Sequence, residues 1–412
     1  MEVKMEIERT IQPVIEKVSK GFPVLLLTGM RQIGKSWVME RLFGKKRTYV
    51  SLDDIKARAL AKTDPQRFIE ENPPPVIIDE VQYAPELFSY IKIYSDKAKK
   101  NGLFWLTGSQ KYHLMKGIQE SLAGRVAILN MLGFSQKEIN GTPKESKPFL
   151  PSLSLAKKTH AGKPHDSTQV FEKIWLGSFP RIITNKNARN IHKIFYDSYI
   201  QTYIARDIKD FFNIENEINF YNFLVATAAR TGQLLNYSNL ANDAHIDMRT
   251  AKLWLEILER SGIIHLLYPY SSNVAKRAIK TPKVYFLDTG LASFLCSWDT
   301  PASLRNGAQS GAMLETYVFA EIMKSYWHNG DTPNIFFYRD TDQKEIDFVI
   351  EKNMTLYPIE VKKTANPNAG DYSSFKALAV FKKPVGTGAV ICLSDKAVSI
   401  GKDVIAFPVW GI

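Results

Sequence analysis

Eight consecutive residues, Gly29-Met30-Arg31-Gln32-Ile33-Gly34-Lys35-Ser36, have the types and spacing needed to hold phosphate. The pattern is G-x-x-x-x-G-K-[ST], a P-loop when it links a strand to a helix. Gly29 and Gly34 let backbone N–H groups curl around an anion, and the helix that follows adds its positive amino end. Arg31, Gln32 and Ile33 span the loop between them, and Trp37 follows in the first helical turn, so all are candidate nucleotide contacts. Lys35 can reach the β- and γ-phosphates, and the Ser36 hydroxyl can enter a Mg²⁺ shell. A second pair, Asp79-Glu80, ends the apolar run Val76-Ile77-Ile78. Asp79 is suited to hold Mg²⁺, through water or directly, and Glu80 to orient an attacking water as general base. Together these residues point to binding and hydrolysis of ATP or a similar triphosphate.

Such residues work only on a scaffold that converges them. The runs Val24-Leu25-Leu26-Leu27, Arg47–Asp54, Val76–Glu80, Leu103–Gln110 and Val126-Ala127-Ile128-Leu129 read as strands. Helical segments separate them: Ser36–Phe43, Ile55–Glu71, Pro85–Lys99 and Tyr112–Ala123, with an amphipathic Ile7–Ser19 in front. The alternation predicts a doubly wound parallel sheet with its ligand at the carboxyl ends of the strands. The fourth strand ends in Thr107-Gly108-Ser109-Gln110; Ser109 or Gln110 either senses the γ-phosphate or caps the next helix.

A chain of 412 residues exceeds one ordinary core, and 45% hydrophobic with 23% charged residues fits a globular protein. A formal net charge of +12 favours a polyanionic partner such as nucleic acid. The two cysteines, Cys296 and Cys392, lack metal-site spacing, which disfavours zinc clusters and a disulfide framework and fits the cytoplasm. The longest apolar runs fall short of a membrane span, so no membrane insertion is expected.

The segments Asp79-Glu80-Val81-Gln82, Thr107–Gln110 and Glu120-Ser121-Leu122-Ala123-Gly124-Arg125-Val126 resemble the AAA+ group of P-loop ATPases. More narrowly, the chain resembles prokaryotic predicted ATPases that carry a C-terminal domain of unknown function, number 4143. Arg125 stands where an AAA+ arginine finger would start the fifth strand. The resemblance therefore implies a homo-oligomer in which Arg125 reaches a neighbour's nucleotide; a local pair with an acid is the alternative. The catalytic set it implies is Glu80, Lys35, Ser109 and Arg125, with Ser36 and Asp79 on the metal.

Beyond the core, residues 1–140, the stretch 141–168 reads as a flexible basic linker, with Pro143, Pro148, Pro151 and Pro164 and little periodicity. Residues 169–219 read as a helical lid; Arg181 after the Gly177-Ser178-Phe179-Pro180 turn is a weak second sensor of nucleotide, and Ala188–Phe211 a long amphipathic helix. Residues 220–300 carry helix, turn and Asp247-capped helix, followed by two strands bracketing Ser271–Pro282, the order of a winged helix-turn-helix. Arg249 and Lys252 on the second helix, with Lys276, Arg277 and Lys280 in the wing, are candidate DNA phosphate contacts. Glu256 and Glu259 on the same helix leave a protein-contact role open.

Residues 301–412 show different chemistry. Ser310–Lys324 is helical and contains Glu315; Lys344–Glu351 and Leu356–Lys363 form a hairpin. If Glu351 pairs with Leu356, Asp347 falls opposite Glu360, and Lys362 shares that face. Facing carboxylates need a cation, and a Mg²⁺ or Mn²⁺ ion with Glu315 as third ligand would supply it. A solvated face on which Lys362 bridges the acids is the plainer reading. Glu315, Asp347 and Glu360-Val361-Lys362 resemble the PD-(D/E)xK nuclease site, with Ile346 in the place of its proline. The expected whole is an α/β protein: an AAA+-like ATPase core with a helical lid, a winged helix-turn-helix and a nuclease-like α/β domain. Three functions stay open: an ATPase directed at DNA, an ATP-regulated DNA nuclease, and a non-cleaving switch that binds protein partners.

Overall fold

The computed structural model of the chain describes residues 6–43, 46–108, 118, 121–158, 166–204, 217–271 and 281–412. The amino-terminal sheet has strands β1 (Val24–Thr28), β2 (Thr48–Ser51), β3 (Val76–Asp79), β4 (Phe104–Gly108) and β5 (Val126–Asn130). They lie in the order β2-β3-β4-β1-β5, and every neighbouring pair is parallel. β1, β3 and β4 are buried along their length, which is why they read as continuous apolar runs. Their side chains alternate between two cores: Leu25, Leu27, Ile77 and Trp105 on one face, Val24, Leu26, Val76 and Phe104 on the other. The helical stretch expected over Ile55–Glu71 is two helices, Ile55–Thr63 and Pro65–Glu71. Asp64 caps the second, and Pro65 cannot continue the first because it lacks an N–H.

The stretch 141–158 is not the free linker its composition suggested. It carries a turn of helix at Pro143–Glu145 and a helix at Leu153–Lys158. Phe149 is buried between them, donating its N–H to Ser325 Oγ (3.0 Å) and accepting from Tyr326 OH (3.0 Å). Prolines and lysines mark irregular backbone, and one aromatic anchor is enough to pin it to a core.

Helices Ser167–Leu176, Pro180–Ile183 and Ala188–Tyr199 follow, the last continuing as a π-turn through Ile204. Their turn is stapled by buried Asp288, which accepts from Ser178 N–H and Oγ (both 2.8 Å) and Tyr196 OH (2.8 Å). Gly177 has φ +76°, and a Cβ there would lie 2.3 Å from the Tyr196 hydroxyl, so only glycine fits. Helices Glu217–Ala228, Tyr237–Asp243 and Met248–Arg260 then pack on an antiparallel sheet, β6 (Gln233–Leu234), β8 (Lys283–Phe286) and β7 (Ile264–Leu267) in that order. Asp247 caps the third helix, accepting from Arg249 N–H at 2.8 Å and Thr250 N–H at 3.0 Å.

The carboxyl-terminal sheet holds β9 (Ile335–Arg339), β10 (Glu345–Lys352), β11 (Thr355–Val361), β12 (Gly388–Cys392), β13 (Val398–Gly401) and β14 (Val404–Pro408), ordered β13-β14-β12-β11-β10-β9. The β10–β11 hairpin pairs Glu351 with Leu356. Across this sheet lies the helix Ser310–Trp327, buried on every side from Thr316 to Tyr326. Several of its polar groups consequently pair with other parts of the chain. Gln136 N–H donates to Glu321 Oε2 at 2.9 Å, Lys324 Nζ donates to Phe134 O at 3.0 Å, and Leu132 N–H donates to His328 Nε2 at 3.1 Å. Each partner belongs to the segment leaving β5, so this helix is bolted to the amino-terminal core. Among the described residues no helix is long and apolar enough to cross a membrane.

His192 is buried against Trp175, its Nε2 2.8 Å from the Trp175 carbonyl. Burial drives it down to about 4, outweighing the Trp175 carbonyl and Asp288, which act in the opposite direction. Between pH 6.5 and 4 the unfolded chain therefore holds a proton that the folded chain refuses, and stability from this group falls as pH falls. Relative to His192→Phe, the wild type should lose up to about 3 kcal/mol across that window, read from urea denaturation at pH 7, 5.5 and 4. A difference independent of pH would remove His192 from this role.

Candidate nucleotide site and carboxylate cluster

The P-loop residues lie where β1 runs into the helix Lys35–Phe43, at the carboxyl edge of the parallel sheet. Gly29 is required by close approach: a Cβ would lie 2.1 Å from Met131 O on the neighbouring strand exit. Gln32 (φ 60°) and Gly34 (φ 90°) curl the loop through left-handed backbone. Lys35, buried, donates from Nζ to Gly29 O (3.0 Å) and Met30 O (2.8 Å), which holds its charge inside the loop. Arg31 Nη2 donates to Tyr83 OH at 3.3 Å. Ile33, Gly34 and Trp37 line a cavity of about 340 Å³ closed by Ile7, Phe134, Pro180 and Thr184. That volume suits a purine base next to the phosphate loop. Arg181 is exposed on the same short helix as Pro180.

Asp79 ends β3 and gathers three hydroxyls. Ser36 Oγ donates to Oδ1 at 2.9 Å, Tyr49 OH donates to Oδ2 at 2.9 Å, and Thr107 Oγ1 donates to Oδ1. Burial first, and then the Asp79 charge, push the Tyr49 phenol well above its ordinary range, so it acts as a donor throughout the physiological range. Ser36 and Asp79 present hard oxygens side by side at the foot of the phosphate loop, a donor set that fits Mg²⁺. Glu80, next along, has φ 55° and ψ 44°, a left-handed conformation that a residue with a Cβ adopts at a cost. Its N–H donates to Thr107 Oγ1 at 3.3 Å and its carboxylate accepts from Gln82 Nε2. The carboxyl of Asp53, close by, is raised by burial and by the charges of Glu80 and Asp79, against Arg31 and Arg58.

Ser109 lies outside the described residues, as does Gln110. Arg125 lies at the amino edge of β5, and Val24 pairs with Val126, so it sits at the opposite end of the sheet from the P-loop. There it grips Asp96 with two bonds, Nε to Oδ1 (2.6 Å) and Nη2 to Oδ2 (3.0 Å), and donates to Ala123 O (3.1 Å). Within one chain the local acid is its partner.

Sequence reasoning missed Arg9 and Glu138. Both are buried; Arg9 Nε donates to Glu138 Oε1 at 3.1 Å, Nη1 to Ile33 O at 3.0 Å, and Nη2 to Leu132 O at 2.7 Å. Glu138 also accepts from Thr10 N–H and Ser135 N–H, both at 2.8 Å. Burial alone would raise this carboxyl, but Arg9, His328 and the Ser135 N–H together bring it well below the ordinary range. The signal for it was the capping box Ser135–Glu138, which marks a helix start but not a partner across the chain.

In the carboxyl-terminal domain, Glu315, Asp347, Glu360 and Lys362 are brought into one neighbourhood. The β10–β11 ladder runs to Phe348–Ile359, and a register shift on the β9 side falls between Ile346 and Val349. Asp347 there accepts the Val361 N–H with its own side chain, at 2.8 Å. Glu360, buried, accepts from Ser374 Oγ at 3.0 Å and Lys362 Nζ at 3.2 Å. Burial and the Asp347 charge raise the carboxyls of both Glu360 and Glu315. The expected divalent ion is a different matter. Glu315 Oε1 is taken by Tyr285 OH (2.5 Å) and by buried Lys283 Nζ (3.1 Å), which also holds Glu345 Oε1 (2.5 Å). Among the described residues no three His, Cys, Asp or Glu side chains group so as to hold a metal ion. The cluster as built does not fit a divalent ion, because a lysine already supplies the cation.

Of the expected DNA contacts, Arg249 and Lys252 are exposed on the helix Met248–Arg260, with Lys252 Nζ 5.2 Å from the Tyr237 ring centre. Lys276, Arg277 and Lys280 lie outside the described residues.

Three family models match parts of the chain. Residues 21–140 match the family described as AAA domain, and residues 310–412 match the domain of unknown function 4143. Residues 167–302 match a single family, the domain of unknown function 8612, which spans both the lid and the winged-helix segment read separately above. The chain is 26% identical to the uncharacterized protein Mb2031c of Mycobacterium bovis, over 84% of this chain and 71% of that protein. It is 22% identical to the uncharacterized protein MJ1637 of Methanocaldococcus jannaschii, over 72% and 66% respectively. Among solved structures it is similar to the Walker-type ATPase PABY2304 of Pyrococcus abyssi: TM-score 0.43, 14% identity, 69% of this chain and 94% of that one. Another is the Thermotoga maritima RuvB Holliday junction branch migration motor: TM-score 0.30, 15% identity, 63% and 89%.

Removing Tyr49 OH leaves Asp79 Oδ2 without that donor, and a hydrogen bond to a charged group contributes about 1.5–3 kcal/mol. If Asp79 holds Mg²⁺ for ATP hydrolysis, Tyr49→Phe should raise the Mg²⁺ concentration for half-maximal turnover about tenfold, measured by phosphate release. An unchanged Mg²⁺ profile would separate Tyr49 from the site.

Proposed function

We propose that this chain, an AAA-domain P-loop ATPase joined to the domain of unknown function 4143, is a Mg²⁺-dependent ATP hydrolase whose nucleotide state is coupled to a DNA-binding carboxyl-terminal half. The observation that carries the hydrolase reading is the 2.9 Å contact between Ser36 Oγ and Asp79 at the end of the phosphate loop. Ser36 and Asp79 would hold Mg²⁺, which when bound neutralises charge on the phosphates. Lys35 exchanges its two loop carbonyls for phosphate oxygens, and the backbone N–H groups of Arg31–Ser36 cradle the chain. The cavity beside Trp37 takes the adenine. Glu80 orients the attacking water once Gln82 releases it, and Arg125 belongs to the site of a neighbouring copy in an oligomer.

The DNA reading rests on the +12 charge and on the Asp247-capped helix that exposes Arg249 and Lys252. A non-cleaving switch for protein partners is the rival.

Glu80→Gln should bind ATP as the wild type does and turn over at least 100-fold more slowly, while Lys35→Ala loses binding. Full turnover by Glu80→Gln would end the assignment of the base. Binding to duplex DNA should fall steeply between 50 and 200 mM salt, and the paired charge reversal Arg249→Glu with Lys252→Glu should weaken it at least tenfold. No binding at low salt would favour the protein-partner switch.

A further inference from the structure

We infer that Lys283 is the resident cation of the carboxyl-terminal carboxylate cluster. It stands in for a divalent ion and makes the cluster a charged joint between two modules. Lys283 belongs to β8, in the three-stranded sheet of residues 217–286, while the acids belong to the domain beyond residue 310. Its side chain is 3% exposed and reaches across the boundary to Glu315 on the Ser310–Trp327 helix and Glu345 on β10. Phe337 of β9 closes over the ammonium, 5.7 Å from ring centre to Nζ.

The lysine cannot be withdrawn cheaply. β8 is the central strand of its sheet, and Lys283 is paired with Leu234 of β6 on one side and Leu267 of β7 on the other. Pulling Nζ out of the cluster would mean unpacking a buried stem beside Phe337 and Tyr285, whose hydroxyl bonds the same Glu315 oxygen at 2.5 Å. A hard divalent ion needs about six oxygens at roughly 2.0–2.6 Å, and an ammonium on two of the same carboxylates repels it. Glu345 and the other acids also have further protein donors. Glu345 takes Arg339 Nη1 at 3.1 Å, Asp347 takes the Val361 N–H at 2.8 Å, and Glu360 takes Lys362 Nζ at 3.2 Å.

The joint has further seams that a cleavage site would not need. Thr231 and Thr316 hydroxyls share a hydrogen bond at 2.8 Å, and Tyr270 N–H donates to Phe337 O beside the Pro269–Phe337 bridge. The module carrying the Asp247-capped helix and the six-stranded sheet are thereby fastened along β8, the Ser310–Trp327 helix and the β9 edge. Lys283 supplies the ionic part of that fastening, and the nuclease-like spacing of the acids serves attachment.

The experiment counts Mn²⁺ bound to the full-length, nucleotide-free protein by electron paramagnetic resonance, comparing wild type with Asp347→Asn. Equal stoichiometry is expected, because the acids are occupied by lysine. A second arm measures thermal unfolding. Lys283→Met should lower the midpoint by several degrees, and Lys283→Met combined with Glu315→Gln and Glu345→Gln should recover at least half of the loss, since the two carboxylates that faced the ammonium are then neutral as well. If Lys283→Met does not fold, recovery of folding in the triple variant gives the same answer. One more Mn²⁺ in wild type than in Asp347→Asn, or Mn²⁺-dependent plasmid nicking that Asp347→Asn abolishes, would overturn the proposal. So would an unchanged melting point in Lys283→Met.

Discussion

The structure turns on one buried ion pair. Arg9 and Glu138 are shielded from water, and neither charge could stand there alone: a buried charge without its partner costs several kcal/mol. Arg9 spends its remaining donors on Ile33 O inside the phosphate loop and on Leu132 and Gly133 O at the exit of β5. Glu138 fastens the amino-terminal segment through Thr10 N–H, and His328 Nδ1 from the carboxyl-terminal domain lies 3.4 Å from it. Four distant stretches of chain therefore meet at a single pair of charges, beside the cavity that Arg9 helps to line. Phe134, which lines that cavity, also lies under the Arg9 guanidinium at 4.6 Å.

From this point the Ser310–Trp327 helix carries the constraint outward. Its carboxyl end is held by Glu321, Lys324 and His328 to residues 132–136; its amino half presents Glu315 to Lys283 and Tyr285. A helix buried on all sides cannot shift a little at one end and stay still at the other, because its neighbours are close-packed. The P-loop backbone, through Arg9 and residues 132–136, and the carboxylate cluster are thus tied to opposite ends of one helix. That gives the proposed coupling between nucleotide and carboxyl-terminal half a physical route through named contacts.

How much of this could be read in the residues depends on whether the interactions are local. The phosphate loop, the Asp79 strand end and the parallel sheet were legible because each rests on period, glycine geometry and short-range order. The β10–β11 hairpin was legible too, down to the Glu351–Leu356 pair, since so short a connection allows few registers. What escaped was long-range pairing of charge. Arg9 with Glu138 and Lys283 with Glu315 are separated by 129 and 32 positions, and no periodicity points to them. Tyr49 and Thr107 escaped for a milder reason: they read as ordinary strand residues, and only the sheet order places their hydroxyls on Asp79. Composition misled at 141–158, where prolines and lysines suggested a loose linker and Phe149 anchors it instead.

The same distinction decides how the carboxyl-terminal acids should be understood. Spacing alone identifies which side chains share a face; it says nothing of what neutralises them. Facing carboxylates can be relieved by a metal, by a proton or by a lysine, and these alternatives have different consequences. A metal site must exchange ligands with substrate, so it needs open coordination and room for water. A buried lysine whose ammonium already sits on two of the carboxylates offers neither. Here the strand that brings the lysine also closes the boundary between two modules, so the charge that satisfies the acids is the charge that holds the modules together. The residues suited to phosphate chemistry lie instead beyond the other end of the buried helix, where Ser36 bonds Asp79 and the neighbouring Ile33, Gly34 and Trp37 line a cavity.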